Sequence, residues 1–267
     1  MFKTKFPLAW TFHRNTSRWL HNLLEPADEP NPEPAFKEYF GKTTLSLPEP
    51  VLPETSLREA VSARLSCRRF TGASLTLLQL ATVLNTTYGI HSRSTLGDLE
   101  FLERPVPSGG GLYPLELYLL ANTIEGVEAG VYHYAALHHT LEQIRSRPLT
   151  RSQVSRLFMG QPYVAEAAVV VIFTAVVGRS LWKYGDRGYR YILIEVGHAA
   201  QNLNLVSCAL GLASLNLGGF FDADLATVLQ LDLESEVPLY AVAVGVPASA
   251  NRAELRQPPG QNNLATP

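Results

Sequence analysis

Leu181-Trp182-Lys183-Tyr184-Gly185-Asp186-Arg187-Gly188-Tyr189-Arg190-Tyr191 opens a run that closes on Asn216-Leu217-Gly218-Gly219, and its reading decides the fold. From Tyr189 onward, Ile192, Leu193, Val196, Ala199, Ala200, Leu203, Val206 and Leu210 recur at three- and four-residue steps with no proline between them. That period predicts one long helix. Tyr191, Ile194 and Leu205 share its other side with Glu195, His198 and Asn202, so packed neighbours are expected nearly all round, a subunit interface among them. Gly211 stands where a left-handed residue would end the helix. Ala213–Leu217 then leads into Gly218 and Gly219, and two glycines after a strand allow a ligand to lie directly on the backbone.

Outward from this stretch, composition sets the bounds. With 267 residues, 46% of them hydrophobic, the chain suffices for a substantial core. Its 22 basic and 24 acidic residues leave a formal charge of -2, which speaks against nucleic acid or an anionic membrane surface as partner. The two cysteines, Cys67 and Cys208, lack any metal-ligand or disulfide spacing, so no metal site is expected and a reducing cytoplasm fits. No stretch reaches membrane-spanning length without charge. Cys67 reads as a small buried residue in a turn and Cys208 as core.

Residues 1–55 read as an N-terminal arm: a helical piece from Trp10 to Leu24, the proline- and acid-rich stretch 25–34, then an extended segment marked by Pro48, Pro50 and Pro53. Residues 56–257 read as one domain and 258–267 as a flexible tail. Ser56 begins a helix facing inward with Leu57, Ala60, Val61 and Leu65. Thr76 and Gln79 have capping-box spacing before a second helix, as do Thr150 and Gln153 before another that ends near Gly160. Arg68 and Arg69, between the first two helices, are either a solvated pair or forked donors for a phosphate. His91–Glu103 reads as a polar loop. Pro107-Ser108-Gly109-Gly110-Gly111-Leu112-Tyr113-Pro114 fits neither common nucleotide-binding glycine loop; it is either a hinge or a set of free backbone amides. Leu115–Ala121 and the segments 130–134 and 140–144 alternate as strands, the last two joined as a hairpin through His138-His139, where the histidines supply turn polarity. Ala167–Val177 and Pro238–Val246 are apolar enough for buried strands. Asp222 is expected to cap a helix over 223–231.

In order, Arg68-Arg69, the Pro107–Pro114 loop, Trp182–Tyr191, Glu195-x-Gly197-His198-Ala199-Ala200-Gln201-Asn202, Gly218-Gly219-Phe220 and Val244–Pro247 resemble the nitroreductase-like flavoproteins and, within them, the SagB/McbC-type dehydrogenases. The resemblance covers roughly residues 36–256. It implies an α+β nitroreductase-like fold with a central mixed sheet covered by helices, and a homodimer with FMN at the subunit interface. By position, Arg68 and Arg69 would hold the FMN phosphate and ribityl chain, with Arg252 or Arg256 reaching the phosphate from past Pro247. Ser108, Gly109 and Gly110 would lie along the ring, and Gly218 and Gly219 would offer it backbone amides.

Lys183-Tyr184 is the pair that the resemblance associates with oxidation of azoline rings, formed from Cys, Ser or Thr in peptides, to azoles. Loss of a carbon-bound proton requires a positioned base beside the ring, and Arg187 with Lys183 is placed in sequence to favour deprotonation of Tyr184. The alternative for the pair is a surface loop. The implied substrate is a peptide or small imine- or amide-containing molecule, with a ring-forming partner enzyme in peptide natural-product biosynthesis. The rival readings are an NAD(P)H-dependent nitroreductase and a non-catalytic flavin-binding scaffold.

Overall fold

The computed structural model describes residues 2–17, 31, 33–96 and 99–257. Most of the proline-rich stretch, the end of the Trp10–Leu24 helix and the C-terminal tail lie outside the described residues. Two short helices open the chain, α1 (Phe2–Lys5) and α2 (Pro7–Asn15), followed by β1 (Thr44–Ser46), α3 (Leu57–Ala63), α4 (Leu77–Tyr88), β2 (Ser92–Leu96) and β3 (Leu99–Glu103). The middle carries β4 (Leu115–Ala121), β5 (Gly130–Ala135), β6 (Thr140–Arg145), α5 (Arg151–Leu157) and β7 (Val169–Val176). α6 (Gly178–Tyr184), α7 (Asp186–Ala209), β8 (Ala213–Leu217), α8 (Asp222–Leu229), β9 (Glu236–Gly245) and α9 (Arg252–Arg256) complete it.

Seven strands form one sheet in the order β1-β6-β5-β4-β7-β9-β8, and β2 pairs β3 in a separate hairpin. The α+β class holds, but the mixed sheet expected from sequence is antiparallel in every strand pair; parallel contact is confined to single bridges such as Ser66 to Ser214. The apolar runs in β4 and β7 come from burial on both faces. Leu115, Leu117 and Leu119 point into the core shared with α4 and α7, whereas Tyr118 and Leu120 point into the one shared with α5 and α8. Coverage by helices on both sides makes a strand uniformly apolar whichever way its neighbour runs.

Local signals placed several elements well. Thr76 and Thr150 each accept from the backbone N–H three residues on, and Gln79 and Gln153 return the bond, so both capping boxes form. Gly211, at φ 74, follows the end of α7. Other expectations are corrected. Residues 92–96 and 99–103 pair as antiparallel strands and do not form a loop. On α3 only Ala60 is buried, while Leu57 and Val61 are exposed. Asp222 lies in the first turn of α8, and the cap position is Phe221, which has no side-chain bond. Cys208 is half-buried and not core.

The arm joins the domain. Its residues 44–46 form edge strand β1 against β6. Beneath it runs a network of charges: Arg179, 1% exposed, reaches Glu116 at 2.7 Å, and His133 bridges Glu116 at 3.1 Å and Glu142 at 2.7 Å. Lys37 pairs with Glu236, the Tyr39 N–H donates to Glu142 at 3.0 Å, and Arg179 Nε donates to the Pro34 carbonyl at 2.7 Å. Burial pushes the Glu116 carboxyl up, yet the hydrogen bond and charge of His133 with the Arg179 charge outweigh it and leave the group at about 2.

Candidate active site

Gly185, at φ 54 and ψ -149, ends α6 and starts α7 at once, in a backbone conformation that only glycine tolerates well. Three residues on, Gly188 packs so closely that a Cβ would meet the Ser180 carbonyl at 2.8 Å. α6 therefore folds back on the start of α7 and presents Lys183 and Tyr184 from a helix, not from a loop. The long helix begins at Asp186, ahead of the expected Tyr189, because α6 supplies its packing there.

Both side chains face the glycine loop. A Cβ at Gly110, whose φ is 68, would meet Tyr184 Oη at 2.5 Å and Lys183 Nζ at 3.1 Å; one at Gly109 would meet Tyr191 at 3.3 Å. Lys183 Nζ lies 5.6 Å from the Tyr184 ring, which stands edge-on to Tyr191 with centroids 5.1 Å apart. Arg187 binds the arm and stacks beside Tyr191. Its Nη1 donates to the Thr16 carbonyl at 2.7 Å, and its guanidinium sits 5.4 Å from the Tyr191 ring. With Arg190, which donates to the His13 carbonyl at 3.0 Å, it holds the C-terminus of α2 against α7.

Pro107, Ser108, Gly109, Tyr184, Tyr191 and Glu195 are among the residues lining a cavity of about 380 Å³. Glu195 is the functional candidate that sequence reasoning placed on the wrong side of the helix. It is 3% exposed, and Tyr88 Oη donates to its Oε1 at 2.5 Å. Burial pushes its carboxyl up to about 7, against the opposing pull of hydrogen bonds from Ser108 and Tyr88 and the Arg104 charge. The available signal was its place three residues after Ile192 and directly before Val196, inside the apolar stripe.

The remaining predicted residues gather elsewhere. Arg68 Nη1 donates to the Arg256 carbonyl at 3.0 Å and Arg69 Nε to the Gln257 carbonyl at 3.3 Å. Arg252 donates to the Ala63 carbonyl at 2.7 Å, at the C-terminus of α3. No carboxylate pairs with these three arginines among the described residues. Cys67, buried beside them, donates to the Arg69 carbonyl, and burial pushes its thiol up, which removes thiolate character from the turn. This corner adjoins the C-terminal end of α7, where Arg64, Cys208 and Leu255 share a small cavity. Lys183 and Tyr184 precede the other end, 24 residues away, a span of about 36 Å. Gly218 and Gly219 follow β8, with Gly219 packed on Met159 and Gly218 beside Tyr240. Two residues earlier, the Asn216 carboxamide oxygen is buried with no partner among the described residues.

The chain belongs to the nitroreductase family, which its residues 61–246 match, and is thereby an oxidoreductase. A Methanocaldococcus jannaschii protein named as a nitroreductase is 33% identical over 202 residues, covering 76% of this chain and 96% of its own. The microcin B17-processing protein McbC of Escherichia coli is 35% identical over 149 residues, 52% of each chain, so this chain spans about half of that relative's length. The fold also matches the solved E. coli microcin synthetase McbBCD complex with truncated pro-MccB17 bound, at TM-score 0.61 and 24% identity over 91% of this chain and 93% of that one. Among the described residues no helix is long and apolar enough to cross a membrane, and no cluster of potential ligands could hold a metal.

Proposed function

We propose that this protein is an FMN-dependent dehydrogenase that oxidises azoline-type rings in a peptide to azoles. The observation that carries the reading is the pair Lys183 and Tyr184 held against Gly110, where the absent side chain leaves both polar ends facing the loop. In this reading one of them takes the carbon-bound proton and the other orients the ring. FMN supplies the two-electron acceptor when bound. Arg68 and Arg69, free of carboxylates among the described residues, suit its phosphate, and Arg252 adds positive charge to the same corner while bound to α3. The cavity beside Ser108 and Gly109 has room for a flat ring, while Lys183 and Tyr184 take the space at Gly110; Gly218 and Gly219 offer amides, and the unpartnered Asn216 oxygen suits a ring N–H. A peptide substrate and a ring-forming partner enzyme are in keeping with the microcin-processing relative.

The arginine corner and the Lys183 pair stand a full helix apart, farther than one FMN extends, so a complete site draws its two halves from two chains. The exposed Leu193 and Ile194 on α7, with Gly197 open beside them, provide an apolar face for that homodimer. Anaerobic mixing of the yellow protein with a thiazoline-bearing peptide tests the reading: the flavin band should bleach as thiazole forms. Bleaching by NADPH with none by the peptide would make the protein a nicotinamide-driven reductase.

A further inference from the structure

On the far side of the glycine loop, Phe36 of the arm, Ser94 and Leu102 of the β2–β3 hairpin and Gly110 to Tyr113 enclose a cavity of about 510 Å³ that no role given so far uses. Arg104 forms part of its wall at 7% exposure. Its guanidinium lies 4.3 Å from the Tyr88 ring, 5.4 Å from Phe36 and 5.5 Å from Tyr113, and Nη1 donates to the Tyr88 carbonyl. Among the described residues no carboxylate lies within salt-bridge distance of it; Glu195 and Glu116 act on it only through longer-range charge. A guanidinium carries five N–H donors, and aromatic faces attract it without using them. A buried cation with spare donors beside a cavity is suited to hold an anion. Glu103 stands on the same wall but is exposed and takes the hydrogen bond of the Ser92 hydroxyl, so the acid is at the mouth and the cation at the base.

We propose that this cavity is a substrate subsite, anchored by Arg104, for a carboxylate carried beside the ring that is oxidised. The word substrate rests on the dehydrogenase reading; the anion site does not. Gly110 belongs both to this cavity and to the contact with Lys183 and Tyr184, so a carboxylate fixed on Arg104 holds the attached ring near that pair. The carboxylate comes from an acidic side chain or from a free C-terminus.

Three short thiazoline peptides separate the sources: one neutral with Asn beside the ring and an amidated end, one with Asp in place of Asn, one with a free C-terminus. Anaerobic calorimetry on the holoenzyme should give at least one acidic peptide roughly tenfold tighter binding than the neutral one, and the tighter of the two names the source. Arg104→Met should abolish the preference. Ser94→Trp, which fills the cavity from the exposed hairpin and leaves Arg104 in place, should weaken the preferred peptide to the neutral level, and it decides the matter should Arg104→Met not fold. Equal binding of all three by wild type, or a preference that survives the variants, overturns the subsite. If the neutral peptide bleaches the flavin while all three bind alike, the dehydrogenase reading stands without the subsite. If acidic peptides bind tighter and none bleaches it, the anion site stands and the dehydrogenase reading falls.

Discussion

The two ends of α7 are built differently. At its start, Lys183, Tyr184, Tyr191 and the glycine loop are locked by side-chain packing and by two glycines whose missing Cβ atoms set the spacing. At its finish, Arg68 and Arg69 hold to backbone carbonyls of the α9 segment. The first end has fixed geometry suited to a proton transfer, which fails with small displacements. The second has concentrated charge suited to a phosphate, which tolerates looser placement. In the proposed function, chemistry and cofactor grip are thus separated along one helix.

Changes at the start should have the largest effect. Lys183→Ala and Tyr184→Phe are expected to retain FMN and lose roughly 10²- to 10⁴-fold in turnover, the contribution of a positioned base. Stopped-flow reduction with a thiazoline peptide measures it, and wild-type rates in both variants would make the pair structural.

Midway along the helix, Glu195 gives a pH signature. Its carboxyl keeps its proton up to about 7 in the fold but releases it from about 4.5 in the unfolded chain. Between those values the folded state binds the extra proton, so stability is lost as pH rises through this window and is level above it. The gap corresponds to about 3 kcal/mol. Glu195→Gln should remove that much of the difference between chemical denaturation at pH 4 and at pH 8. An unchanged difference would show the carboxylate to be compensated in the fold.

The finish of the helix should respond least. Arg68→Ala or Arg69→Ala should each weaken FMN retention by about 1.5 to 3 kcal/mol, as expected for bonds to a charged group. The loss should shrink in high salt, where exposed charges are screened. Equilibrium dialysis of FMN reads both, and full retention in both variants would move the phosphate away from this corner.

The features legible in sequence were those fixed within a few residues. The apolar period of α7, the Thr76 and Thr150 capping boxes and Gly211 after α7 each carry their own local cause. The Gly110 contact with Lys183 and Tyr184 was half visible: both motifs stood out, but nothing local says that they meet across 73 residues. Burial of Glu195 depends on Tyr88 and Ser108, which belong to other elements. The β2–β3 hairpin hid in Ser92-Arg93-Ser94-Thr95, which has no apolar face to alternate. Strand direction hid because helices cover both faces of the sheet.

The arm over the buried charges separates two boundaries that are often treated as one. Residues 61–246 mark the segment that matches the nitroreductase family. A chain trimmed to that segment would lose Lys37, the Tyr39 N–H and the Pro34 carbonyl, and so strand Glu236, Glu142 and Arg179 in a dry interior with fewer partners than they need. The segment that defines the family is thus shorter than the segment that keeps these charges partnered, and residues 34–39 supply the missing partners.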